Sequence, residues 1–225
     1  SSPAVNALSY SPDGTRLASA GRDGTARVWD LGNGREVSTY RGHLDQPDDP
    51  TKNTTNRLWV AGVAYHPNGQ AVASAAGNQV HLWDPATGKR LKVLLNLGKT
   101  DRPLASLAFS PDGRLLAVGG DDFVLRVLDA DTGKAVYTSP SRNARIERVA
   151  FSPNGKLVAT GDSNGQLAVY VPEGKGNQLA MSVQGVERGE VLGLAFAADG
   201  GGVFTGGRDD KARLTAGPDP DGKGA

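Results

Sequence analysis

A short phrase of apolar and small residues recurs along this chain. It reads apolar, two variable positions, apolar, small, aromatic. Val5, Leu8, Ser9 and Tyr10 fill it first, then Val60, Val63, Ala64 and Tyr65. Leu104, Leu107, Ala108 and Phe109 follow, then Ile146, Val149, Ala150 and Phe151, then Val191, Leu194, Ala195 and Phe196. Large and small side chains alternate, which is the pattern of a strand buried on both faces. A turn comes next: Ser11-Pro12-Asp13-Gly14, His66-Pro67-Asn68-Gly69, Ser110-Pro111-Asp112-Gly113, Ser152-Pro153-Asn154-Gly155 and, degenerately, Ala197-Ala198-Asp199-Gly200. Proline presets φ, Asp or Asn bonds back to the backbone, and glycine accepts positive φ. A second short apolar run, such as Leu17-Ala18-Ser19 or Leu157-Val158-Ala159, predicts a second strand. A Gly/Asp turn leads to a third strand, as in Ala26-Arg27-Val28-Trp29, and an Asp-x-x-x-Gly hairpin leads to a fourth.

The turn glycines stand at 14, 69, 113, 155 and 200, so the spacings are 55, 44, 42 and 45. These are close to the roughly 40–45 residues of one four-stranded propeller blade. A second anchor keeps step. Trp29, Trp83, Leu128, Tyr170 and Thr215 lie 15, 14, 15, 15 and 15 residues after their glycines. Two anchors in register predict an all-β chain of five repeated units.

Trp29-Asp30 and Trp83-Asp84 close third strands, and Gly42-His43 precedes the second copy. In this period these residues resemble the WD40 repeat family of β-propellers, and the resemblance covers nearly the whole chain. It implies four-stranded antiparallel blades around a central channel. Five blades are expected, at about 4–43, 58–98, 103–139, 145–185 and 190–216, with 217–225 as a flexible tail. The Trp-Asp pair decays to Leu128-Asp129, Tyr170-Val171 and Thr215-Ala216. The resemblance also implies a polar network of a Gly-His histidine, a turn aspartate, a strand Ser or Thr and the tryptophan. Mapped here, the first blade offers Ser19, Asp23 and Trp29. The second offers His43, Ser74 and Trp83, with Gly77 where the aspartate belongs. Later blades offer Asp122, Thr160, and the pair Thr205 and Asp209. Asp30, Asp84 and Asp129 are expected as acceptors in the hairpins after the third strands. Rings of this family are usually larger, and the fifth copy ends after its third strand in a Pro-rich run, so an open or incomplete ring is expected.

Composition narrows function. Lys plus Arg is 25 and Asp plus Glu 24, a net charge of +1, which argues against a nucleic-acid surface driven by bulk charge. Cysteine is absent, so there is no disulfide framework and no thiolate metal site. No apolar run approaches the length of a membrane span. The chain does not begin with Met and is read as a piece of a longer protein, or as a processed or trimmed chain. Thr87-Gly88-Lys89 and Thr132-Gly133-Lys134 look like the end of a phosphate loop but lack its upstream glycine and lead into strands. No metal-ligand spacing connects His43, His66 and His81, so no metal and no cofactor is expected.

The 55-residue spacing holds about ten extra residues, across 44–57 between the first and second units. Long loops on a rigid scaffold carry recognition, or are solvated insertions. Asp48, Asp49 and Lys52 lie in this loop, and Trp59 beside it is either a partner anchor or a shield for the rim. Other rim candidates are Arg102, Phe123, Arg145, Arg188 and Arg208. Their mixed charge suits selective protein recognition. The expectation is a non-enzymatic protein–protein interaction scaffold that binds a partner protein or another domain of its own polypeptide. A propeller enzyme with a site in the channel would need convergent acids or histidines on the innermost strands, which are mostly small or apolar. A purely structural segment completing a ring is the third reading.

Overall fold

The structure is a computed structural model and describes residues 4–44, 59–98, 100, 102–174 and 179–218. These residues form nineteen strands and no helix. The first sheet has β1 (Val5–Tyr10), β2 (Arg16–Gly21), β3 (Ala26–Asp30) and β4 (Glu36–Tyr40) in sequence order. The second has β5 (Val60–Tyr65), β6 (Val72–Ala76), β7 (Gln79–Trp83) and β8 (Arg90–Asn96). The third contains β9 (Leu104–Phe109), β10 (Leu115–Gly120), β11 (Arg126–Asp129) and β12 (Ala135–Thr138). The fourth contains β13 (Ile146–Phe151), β14 (Val158–Asp162), β15 (Leu167–Tyr170) and β16 (Leu179–Val183). The fifth has three strands among the described residues: β17 (Val191–Phe196), β18 (Gly202–Gly207) and β19 (Ala212–Ala216). The chain divides into two compact units, Ser1–Leu107 and Ala108–Ala225.

In the first unit the two complete sheets meet through unlike faces. The first sheet offers Ala18, Ala20, Ala26, Val28 and Tyr40; the second offers Val60, Val63, Tyr65, Val72, Ala76 and Trp83. Small residues on one side admit large ones on the other, so the two sheets approach closely. In the second unit the sheets also meet through apolar faces, here with large residues on both sides. Leu115, Ala117, Leu125 and Val127 pack with Ile146, Val149, Val158, Ala168 and Tyr170, and Ala159, Leu167 and Val169 pack with Val191 and Val203. Gly161 belongs to this fit: a Cβ there would run into Val191. The same holds at Gly119, where an added Cβ would stand 2.5 Å from Ile146 Cγ2.

The first strands of four sheets depart from plain alternation. In β1, β5, β13 and β17 the register shifts between Val5 and Ala7, Val60 and Gly62, Ile146 and Arg148, and Val191 and Gly193. Each is a β-bulge that inserts one residue: Asn6, Ala61, Glu147 or Leu192. The two variable positions between the apolar pair in each phrase are the trace of this insertion. Residues three apart can share a face only if one extra residue lies between them.

Candidate functional site

The second sheet holds a buried polar network at the expected tryptophan. Trp83 is fully buried and its Nε1 donates to Ser74 Oγ at 3.1 Å. Ser74 Oγ also meets His43 Nε2 at 2.8 Å. The structure adds two members that the sequence reading left apart. The His81 ring stacks on His43 with centroids 4.1 Å apart, and Tyr40 stacks on Trp83 at 5.1 Å. His81 Nδ1 meets the Tyr40 hydroxyl at 2.6 Å and its Nε2 meets Gln79 Oε1 at 2.7 Å. Gly77 and Asn78 form a tight turn between the paired Ala76 and Gln79, so no aspartate reaches His43 and its Nδ1 stays without a partner. Burial holds the His81 imidazole down at about 4, helped by Arg90. Burial, then the His81 ring beside it, lowers His43 well below the usual histidine range. Both rings are therefore neutral at pH 7.

The first sheet keeps the Trp–Ser bond, and the other sheets rely on ion pairs and buried hydroxyls. Trp29 Nε1 donates to Ser19 Oγ at 2.9 Å, while Asp23 accepts from Thr25 N, Thr25 Oγ1 and Arg27. Asp122 pairs with Arg126, and Asp209 with Arg213 at 2.5 Å. The aspartate–arginine clamp four residues apart thus recurs at 23/27, 122/126 and 209/213. That four-residue spacing is visible in the chain itself. Thr160 is buried on β14, opposite Val149 and Ala168. In the fifth sheet Glu187, fully buried at its side chain, accepts from Thr205 Oγ1 at 2.7 Å and pairs with Arg213. Glu187 thereby joins Thr205 to the Asp209 clamp. Asp30, Asp84 and Asp129 each accept backbone N–H groups in the hairpin that follows, from Gly32 and Asn33, from Ala86, and from Thr132. Asp162 caps its own turn through Asn164 N and Gln166 N, both at 2.9 Å.

Of the rim candidates, Asp48, Asp49 and Lys52 lie outside the described residues. In the first unit Trp59 is 47 % exposed and the Arg22 guanidinium lies over its ring at 4.5 Å. Arg22 Nε donates to Asn6 Oδ1 at 3.2 Å, and Asn6 Nδ2 donates to Val60 O at 2.9 Å. The bulge at Asn6 makes that chain of contacts possible by turning its amide toward the next sheet. Arg102 is exposed. In the second unit Arg145 bridges Asp121 and Glu147, each at 3.0 Å, and Arg208 pairs with Glu190 at 2.8 Å. Arg188 is exposed. Glu147, the bulged residue of β13, is buried; burial raises its carboxyl, and Oε1 has no hydrogen-bond partner. Phe123 is half-buried at φ +67°, where Gly24 and Gly165 stand in their own turns at φ +81° and +73°. A left-handed backbone costs a bulky residue about 1–2 kcal/mol.

A polar cleft of about 330 Å³ opens in the second unit, lined by Arg142, Asn143, Asp162, Asn164, Gln166 and Gln184 among others. Among the described residues no group of three or more His, Asp or Glu side chains is placed to hold a metal ion.

The WD domain, G-beta repeat family matches residues 1–30, 34–84 and 133–170. The WD40 domain family of anaphase-promoting complex subunit 4 matches residues 92–144. The chain is similar to the small ribosomal subunit protein RACK1 of Caenorhabditis elegans, 30% identical over 131 residues. That similarity covers 55% of this chain and 36% of RACK1, so the chain matches about a third of its relative's length. Repeated sheets, turn signatures and family matches agree: the chain belongs to the WD40 repeat family, as an all-β propeller protein.

Proposed function

We propose that this chain is a non-catalytic platform that docks a partner protein, or another domain of its own polypeptide, on the rim that carries the turns between second and third strands. The family points to a protein-interaction scaffold, and the similar RACK1 is itself named as a protein of a larger assembly. The observation that carries the reading is Trp59. A large aromatic stands half in solvent, and its orientation is fixed in advance by Arg22 and, through Arg22, by Asn6. Pre-ordered aromatic and arginine side chains lose little freedom on binding, which is why such residues concentrate affinity.

A photo-crosslinking pair tests this in the source cell. p-Benzoylphenylalanine is placed at position 59 on this rim and at position 33, in the exposed turn between β3 and β4 at the other end of the strands. The reading expects discrete protein adducts from 59 well above those from 33. Absence of discrete protein adducts from 59 would refute the rim assignment.

A further inference from the structure

At the opposite end of the strands the turns Ser11–Gly14 and His66–Gly69 approach each other, with Pro12 Cδ 3.7 Å from the place a Cβ on Gly69 would occupy. Between them lies a notch of about 180 Å³ lined by Ser11, Asp13, Arg16, Tyr65 and Asn68 among others. The floor is unusual. Tyr65 is only 6 % exposed, yet its hydroxyl has no hydrogen-bond partner. Burying a hydroxyl unpaired is unfavourable, so a tyrosine retained there needs a reason.

The other sheets show what the fold alone requires. Counted from the turn glycine, Arg16 corresponds to Leu115 and Leu157, and Tyr65 to Phe151 and Phe196. Leu115 with Phe151, and Leu157 with Phe196, belong to apolar clusters of the second unit. The first unit therefore replaces an apolar pair by a guanidinium and a phenol at the same two places. Among the described residues the Arg16 guanidinium makes no hydrogen bond and no ion pair within 4 Å, although its charge reaches the Asp84 carboxylate from farther off, and the Asn68 side-chain amide donates none. Three unspent donors, from Arg16, Tyr65 and Asn68, line one small notch.

We infer that this notch is a subsite for a carboxylate, the side chain of an acidic residue on a bound protein. Donors outnumber acceptors on its walls, which selects an acceptor group. Asp13 is the one carboxylate in the lining, and its Oδ1 is already taken by Ser11 Oγ, Thr15 N and Thr15 Oγ1. These bonds, Ser11's first, hold Asp13 ionised down to about 2. Its fixed negative charge disfavours a doubly charged phosphate and leaves room for a single negative charge against Arg16. The subsite is separate from the Trp59 rim and does not depend on that assignment.

The test uses the whole chain labelled with 3-fluorotyrosine, with the Tyr65 resonance assigned among the five tyrosines by Tyr65→Phe. Capped Gly-Glu-Gly, capped Gly-Gln-Gly, inorganic phosphate and sodium chloride are titrated at constant ionic strength. The subsite predicts a saturable shift of the Tyr65 resonance with Gly-Glu-Gly, half-complete on the order of millimolar. It predicts none with Gly-Gln-Gly or chloride, and loss of the shift in Arg16→Leu. The doubly changed Arg16→Leu/Tyr65→Phe rebuilds the pair found in the other sheets and should melt no lower than the parent, which separates binding from folding. No saturable shift with Gly-Glu-Gly, an equal response to Gly-Gln-Gly, a preference for phosphate, or a shift that survives Arg16→Leu would each overturn the proposal.

Discussion

His43 Nδ1, Tyr65 Oη and Glu147 Oε1 are the buried polar atoms without a hydrogen-bond partner among the described residues. An unpaired buried group costs about 1–3 kcal/mol, so each marks a place where the repeat departs from what folding alone favours. At His43 the departure follows from the short Gly77–Asn78 turn, and His81 packs on the ring face while Nδ1 stays unpaired. Acid should open this pair. Both imidazoles have folded values below the ordinary 6.5, so the unfolded chain takes up protons that the folded chain refuses. Stability is therefore complete above about pH 6.5 and falls as pH drops toward 4, by up to about 1.4 kcal/mol per pH unit for each histidine. The Tm measured between pH 7 and 4.5 should decline, and His81→Phe should flatten that decline. An equal slope in parent and variant would show that His81 does not carry the linkage.

Much at this scale was legible in the chain. His43, Ser74 and Trp83 were placed by motif and do meet, as do Ser19 and Trp29. The stack of His43 on His81 was not legible, because a loop residue and a strand residue 38 positions apart (81 − 43) share no periodic signal. The role of Glu187 was hidden for the same reason: its partners Thr205 and Arg213 come from strands that pair only after folding.

At the scale of the element, the controlling fact is the match between a small-residue face and a large-residue face. Trp83→Ala removes a fully buried ring from the second sheet and should lower stability by about 3–5 kcal/mol. A thermal melt unchanged by that substitution would place Trp83 outside the core. Gly161 offers a sharper comparison. Gly161→Val drives side-chain atoms into Val191 and should cost about 1–3 kcal/mol. Gly206 occupies the same place in the fifth sheet, where a Cβ would meet nothing nearer than Lys211 O at 3.8 Å. Gly206→Val should be tolerated, and chemical denaturation of the two variants should separate them. Strands and turns could be read from the recurring phrase because each copy repeats the same local chemistry. The bulges were written there too, in the three-residue step from Val5 to Leu8 and from Ile146 to Val149, although strict alternation hides them.

For the molecule as a whole, neighbouring sheets within each unit bury one another's faces. Val5, Leu8 and Tyr10 of the first sheet are 60%, 58% and 66% exposed, while Val60, Val63 and Tyr65, their counterparts in the second sheet, are at most 6 % exposed. The contrast measures what packing against a preceding sheet contributes to burial. It was not legible in the sequence, where both sets read alike.

One recurring phrase sets the strands of every antiparallel sheet. Amide hydrogen exchange resolved by fragment would show this as short protected segments matching the strands, separated by fast exchange at Ser11–Gly14, His66–Gly69, Ser110–Gly113, Ser152–Gly155 and Ala197–Gly200. Continuous protection running through those turns, or protection without that recurrence, would contradict it.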